Sequence, residues 1–274
     1  MSVSKTFSVA STAPSSGERS SYTRIIKKYG WIPDIPDHRD HLYAAPTMVA
    51  LPKLVDLRPS CPAVFDQGEL GSCTANAIAA AHQFDQMKQS KPAVFTPSRL
   101  FIYYNERAIE GTIKQDSGAM IRDGIKSLAL QGAAPETIWP YDIKKFAAKP
   151  TKKCYDAGLK NQALSYQRLE PNLSQLKSCL ATGYPFVFGF SVYQSFESEV
   201  VARTGKVPMP NGKTETLLGG HAVLATGYDE SSKSFIVRNS WGSDWGIKGY
   251  CLFPYAYLLN ANLCDDFWTV RLVE

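Results

Sequence analysis

One cysteine in the sequence sits where a thiol could react. Residues 64–87 read VFDQGELGSCTANAIAAAHQFDQM, rich in glycine and polar residues ahead of Cys73 and free of Gly and Pro behind it. Ala77, Ile78, Ala80, Ala81, Phe84 and Met87 recur at helical spacing and predict one buried face of an amphipathic helix. A loop thus delivers Cys73 to the first turn of that helix, where aligned N–H groups and the helix dipole favour an anion. The expectation is a thiol more easily ionised than a free one, and therefore a nucleophile. A small structural cysteine is the alternative and the commoner fate of a lone buried thiol; the Gly-rich approach weighs against it.

A thiol nucleophile needs a base, and the chain offers His38, His41, His82 and His221. His82 lies nine residues along the same helix, about 900° of rotation, and points away from Cys73. His38 and His41 belong to the polar run DHRDH, which reads as solvated. That leaves His221, which follows the flexible pair Gly219–Gly220 and opens an apolar run. Asn239 ends the next run, and counting back from the turn at 230–233 puts both residues near the open end of one hairpin. An amide there would accept the imidazole Nδ1 proton without adding a second negative charge. Trp241 follows two residues later and could shield that bond from water. Gln67, six residues before Cys73, can offer a side-chain N–H to a developing oxyanion, with the Cys73 backbone N–H as second donor.

These groups need elements to hold them. Residues 98–107 (SRLFIYYNER) and 118–131 (GAMIRDGIKSLALQ) read as a second and a third helix. The third takes its apolar face from Met120, Ile121, Ile125, Leu128 and Leu130, and Gly132 stops it. In the second half, residues 185–193, 221–229, 234–242 and 267–273 are short β-branched and aromatic runs separated by turn residues, the pattern of an antiparallel sheet or barrel. The fold class is α+β: a mainly helical lobe over 51–165 carrying Cys73, a mainly β lobe over 166–274 carrying His221 and Asn239, and a cleft between them. Residues 1–50 form an N-terminal arm. Around Trp31 it reads YGWIPDIPDHRDHLYAAP, where Pro33 and Pro36 stiffen an extended segment that has no core of its own.

Composition removes other classes. The net charge of +5 is small and dispersed, which argues against nucleic acid. Lys144, Lys145, Lys149, Lys152 and Lys153 read as a solvated loop, with a site for an anionic ligand as the lesser alternative. No run of about 18 apolar residues is present, so no membrane span is expected. The first 14 residues lack an apolar core, so they do not read as a Sec signal peptide, and localisation is left open. Six cysteines occur without a CxxC pair, so no metal site or other cofactor is expected. With Cys73 free at least one more must be unpaired, and Cys251 and Cys264 are near enough in sequence to bridge.

QGELGSCTANA, HAVLATGYD and NSWGSDWGIKGY together resemble the papain-like cysteine peptidases, over about residues 51–274. The resemblance implies a two-lobe fold in which Cys73 is the nucleophile, His221 the general base and acid, Asn239 its orienter and Gln67 the oxyanion donor. It further implies that Ser117–Gly118 binds the substrate backbone, that Met120 lies near the main side-chain pocket, and that Gly220 and Trp241 border the cleft. Leu70 stands where the family has a cysteine, so the family's first disulfide is absent, and Thr74 replaces an aromatic. The long helical pro-region is replaced by about 50 different residues, as in a bacterial branch with a short N-terminal segment. No second histidine pair suggests an exopeptidase loop. The expectation is a monomeric endopeptidase acting on proteins or peptides, with its own arm as intramolecular inhibitor. Acyl transfer to an amine by the same groups is the second reading, and a non-catalytic binding protein is disfavoured because nucleophile and base are both present.

Overall fold

Short apolar runs in the second half of the chain, joined by Leu54–Asp56, build a seven-stranded antiparallel sheet, seen in a computed structural model that describes residues 5–10, 21–26, 29–45 and 51–274. Its order is Tyr250–Pro254, Ser234–Arg238, Leu217–Asp229, Phe186–Tyr193, Cys264–Val273 and Ala163–Arg168, with Leu54–Asp56 also paired to Leu217–Asp229. Side chains alternate between two apolar cores, as the pleat requires. Phe186, Phe188, Phe190 and Val192 enter one, where Phe188 stacks on Phe267 at 5.6 Å between ring centres. Val187, Ala222, Leu224, Trp268 and Val270 enter the other, which the helices share.

Three helices matter for the site: α1 (Cys73–Lys88), α2 (Arg99–Ile109) and α3 (Ile121–Leu130). The first lies between the sheet, which it meets at Leu217–Asp229 and Cys264–Val273, and the other two helices. It is buried on every side from Cys73 to His82, so the single apolar stripe read from the sequence is too narrow. Five alanines among Ala75–Ala81 let both layers approach it. Met87, placed on the buried face by spacing, is exposed at the far end. Ser98 caps α2 by accepting the Phe101 N–H at 3.1 Å.

The third helix starts three residues later than its periodicity suggests. Ala119–Met120 is extended because it pairs in parallel with Trp31–Ile32 of the arm. Met120 is consequently half-buried outside the helix and Leu130 is exposed, so neither belongs to the inner face. All six cysteines are free, and Cys251 and Cys264 are buried without bridging. The strands Leu54–Asp56, Ala163–Arg168 and Tyr250–Pro254 were not legible from residue pattern. Lys5–Ala10 and Ser21–Ile26 pair as an antiparallel hairpin.

Candidate active site

The loop that precedes α1 is held by its neighbours on several sides. Gln67 N–H donates to the Ser240 carbonyl at 2.9 Å, and Gly242 N–H to the Phe65 carbonyl at 3.0 Å, tying the loop to the segment after Asn239. Tyr141 Oη donates to the Gln67 carbonyl at 2.9 Å, and Arg99, paired with Glu136, donates to the Asp66 carbonyl at 3.0 Å. Gly71 N–H donates to the Asp116 carboxylate. The loop therefore presents Cys73 from a fixed backbone at the start of α1.

Across the cleft, the strand Leu217–Asp229 brings His221 and Ala222 to the same place. The Ala222 backbone N–H faces the Cys73 thiol, so the residue after His221 touches the sulfur. His221 Nε2 lies 2.8 Å from Asn239 Oδ1, both side chains buried. That corrects the ring nitrogen: Nε2 rather than Nδ1 meets the amide. Asn239 Oδ1 also accepts the Ser240 N–H at 2.8 Å, which fixes the amide's orientation. The Trp241 ring lies 5.0 Å from the imidazole centre and is itself packed on Trp245 and Phe196, closing the pair from water. His82, by contrast, is a satisfied core histidine bonded to Gln86 and the Asn161 carbonyl, and His38 and His41 are exposed.

Gln67 is buried and oriented at both ends of its amide. Its Oε1 accepts the Ser240 hydroxyl at 2.6 Å, and its Nε2 donates to the Leu70 carbonyl at 2.9 Å. One of the two Nε2 hydrogens is thus used within the loop and the other remains. Ser240 was missed in the sequence; the signal was its place directly after Asn239, in the segment that pairs with the Gln67 loop.

The arm lies in the cleft. Gly30 sits between Gly71 and Gly118 and turns its N–H to the Cys73 thiol, while its carbonyl accepts the Ala119 N–H at 2.8 Å. Tyr29 packs edge-on to His221 at 6.2 Å and donates its hydroxyl to Glu197. Trp31 fills the space above Gly189 and Gly220, where a Cβ on either glycine would collide with it. Of the residues assigned to backbone binding, Gly118 gives its N–H to Tyr103 Oη and Ser117 bonds Thr112, so the neighbour Ala119 is what engages the arm. Met120 borders an open groove of about 700 Å³ together with Ile35, Ile109 and Arg122.

Beneath this cover the thiol is fully enclosed. Burial pushes Cys73 up to about 12, and the N–H groups of Ala222, Gly30 and Thr74 offset only part of it. The easily ionised thiol read from the helix terminus is therefore not what the covered cleft holds, because desolvation outweighs the dipole. Beyond the cleft the arm is anchored by ion pairs of Asp40 with Arg122 and Arg168. Among the described residues no cluster of His, Cys, Asp and Glu suits a metal ion, and no helix is long and apolar enough to cross a membrane.

Residues 51–264 match the model of the papain family of cysteine proteases. The chain belongs to that family. It is a papain-family cysteine peptidase, and so a hydrolase. A peptidase C1-like protein of Acanthamoeba polyphaga mimivirus, itself uncharacterised, is 42% identical over 91% of this chain and 88% of its own length. Among solved structures, xylellain, a cysteine protease from Xylella fastidiosa, superposes with a TM-score of 0.84 at 47% identity, over 90% of this chain and 96% of its own. Procathepsin B of Trypanosoma congolense, at 19% identity and a TM-score of 0.72 over 90% of this chain and 86% of its own, shares the fold.

Proposed function

We propose that the chain is a cysteine endopeptidase that works through Cys73, His221 and Asn239, and that its N-terminal arm holds it inactive. Cys73 thiolate attacks a peptide carbonyl. The oxyanion that develops is met by the free N–H of Gln67 Nε2 and the Cys73 backbone N–H. His221 carries the proton from the thiol to the leaving amine, and water then hydrolyses the thioester. With Nε2 committed to Asn239, Nδ1 is the nitrogen that exchanges this proton. The observation that carries the reading is the 2.8 Å bond from His221 to Asn239, on a strand whose next N–H faces the Cys73 sulfur.

Inhibition by the arm is supported by what Gly30 presents. An amide N–H faces the nucleophile and the same residue's carbonyl oxygen accepts the Ala119 N–H, so the arm occupies the cleft at the thiol. Proteins and peptides are the substrates this reading assigns, and a single chain suffices for it.

The test is Cys73→Ala and His221→Ala in the full chain, each compared with the unsubstituted protein after the arm is nicked near residues 46–50 and removed. Both variants should lose peptide turnover, and Cys73→Ala should keep the melting temperature, because alanine is close to cysteine in size. Peptidase activity of Cys73→Ala near that of the parent would end the reading.

A further inference from the structure

Gln67 Nε2 and the Cys73 backbone N–H sit at opposite ends of one loop, yet both must point at the same oxygen. All six cysteines are free, so no disulfide fixes their separation. The task falls to hydrogen bonds, and these converge on a side chain that the chemistry itself does not use. Arg99, the first residue of α2, is buried and reaches both ends of the loop. Its Nη1 donates to the Asp66 carbonyl at 3.0 Å and to Asn76 Oδ1, in the first turn of α1, at 3.2 Å.

At the near end, the two peptide units that flank Gln67 are each held on both sides. In the first, the Asp66 carbonyl accepts from Arg99 and the Gln67 N–H donates to the Ser240 carbonyl. In the second, the Gln67 carbonyl accepts from Tyr141 Oη at 2.9 Å and the Gly68 N–H donates to Asp66 Oδ1 at 2.9 Å. Fixing two successive peptide planes fixes φ and ψ between them, and so the direction in which the Gln67 side chain leaves the backbone. At the far end, Asn76 Nδ2 donates to the Ser72 carbonyl at 2.9 Å. That carbonyl shares its peptide plane with the Cys73 N–H. The circuit closes through Ser72 Oγ, 2.6 Å from Tyr141 Oη.

Arg99 is itself held rigidly. Its Nε and Nη2 donate to Glu136 at 2.9 and 2.7 Å, and its guanidinium lies 3.8 Å from the Tyr141 ring centre and 4.8 Å from that of Phe65. The Glu136 carboxylate offsets its charge, so its leverage on the oxyanion is geometric. Resting on the peptidase reading above, we propose that Arg99 is a positioning residue of the oxyanion hole, which acts through Asp66 and Asn76 to aim Gln67 Nε2 beside the Cys73 N–H. It touches no substrate. A donor displaced by about 1 Å forfeits much of an interaction that forms only as the carbonyl becomes tetrahedral, so the effect belongs in kcat.

The experiment uses the full chain folded first, nicked near residues 46–50 and freed of its arm. Arg99→Lys keeps a charge for Glu136 but lacks the planar fork. It should lower kcat on a fluorogenic peptide by on the order of tenfold to a hundredfold, less than outright removal of an oxyanion donor. KM should change by no more than about twofold, as for a group felt only in the transition state. Alkylation of Cys73 by iodoacetamide, read by peptide mass spectrometry, forms no oxyanion and should keep its rate. In a Gln67→Ala background the kcat loss should shrink by about fivefold or more, because the donor that Arg99 aims is gone. If Arg99→Lys does not fold, Arg99→Met with Glu136→Gln removes both charges together and carries the same comparison. An unchanged kcat, a change confined to KM, a matching fall in alkylation, or an equal loss in the Gln67→Ala background would overturn the positioning role and leave the peptidase reading standing. Arm-free enzyme that cuts no peptide while Cys73 still alkylates would remove that reading and the proposal with it.

Discussion

Replacing Trp31 by alanine should switch the full chain on. The side chain is only 9% exposed and makes the one indole bond to Asp266. Truncating a buried tryptophan to alanine costs about 3–5 kcal/mol, from lost apolar burial and the cavity left behind. The arm is part of the chain, so this cost falls on an intramolecular equilibrium between seated and released arm. Each 1.4 kcal/mol is tenfold, so the released fraction should rise by roughly 10²–10⁴ until it reaches one. The assay is kcat/KM on a fluorogenic peptide for Trp31→Ala and the unsubstituted chain, both full length, with the nicked and arm-free enzyme as ceiling. The rate of Cys73 labelling by an epoxide should rise in parallel, because the same step uncovers the thiol. The body's own core is little touched, which a thermal melt monitors. If the arm-free enzyme is far faster than the full chain yet Trp31→Ala is not, Trp31 is no anchor. If the arm-free enzyme is no faster than the full chain, the arm is no inhibitor.

Other perturbations separate the remaining roles. Gln67→Ala should lower kcat of the arm-free enzyme by on the order of 10²–10³ with little change in KM. Ser240→Ala, which only unties Oε1 of that amide, should lower kcat by less; an effect on KM alone from either would deny Gln67 the oxyanion. Asn239→Ala should reduce kcat less than His221→Ala and should shift the pH profile, since it leaves the imidazole present but unoriented; an unchanged profile with full activity would deny it a positioning role. Inhibition by the arm should weaken as pH rises. Burial, and then the charge of Asp34, push Asp266 up to about 7 while the arm is seated, and burial also raises Asp34, with Arg122 and Arg168 opposing and Asp265 adding to the rise. Asp34 leaves with the arm and returns to the ordinary 3.8, and its charge no longer bears on Asp266, so the seated state binds more protons than the released one. The hold is full below about that value and is lost as pH climbs through about 7. Activity of the full chain relative to the arm-free enzyme should accordingly increase from pH 5 to 8, and a flat ratio would contradict the coupling.

Much of this site was open to reading because its residues are tied to strong local signals. A Gly-rich loop followed by an alanine-rich run without Gly or Pro reads as a loop feeding a helix, and Cys73 is at the junction. His221 and Asn239 bracket a hairpin whose turn is marked, so their meeting followed from counting. Which imidazole nitrogen faces the amide did not follow, because it depends on the ring's rotation and on the backbone that carries it. Met120 and Leu130 were misplaced because α3 yields its first turn to a strand that pairs with the arm, a contact made over 80 residues of sequence. The short edge strands were hidden for a similar reason: Ala163–Arg168 is half-exposed and shows no clean alternation.

A strand that passes over a nucleophile has to avoid being cut by it. Attack needs a carbonyl carbon within about 3–3.5 Å of the sulfur and in line with it. At Gly30 the group turned to Cys73 is an N–H, and the carbonyl oxygen is held 2.8 Å from the Ala119 N–H. The same seating buries the thiol and pushes it up to about 12, so little thiolate exists while the arm is in place. Pro33 and Pro36 limit how the strand could rotate to bring a carbonyl round. Substrate position and nucleophile charge are thus withheld by one contact, and releasing Trp31 should return both together. A variant that opened the cleft to epoxide without gaining turnover would break that link, and would mean that displacing the arm is not enough to assemble the site.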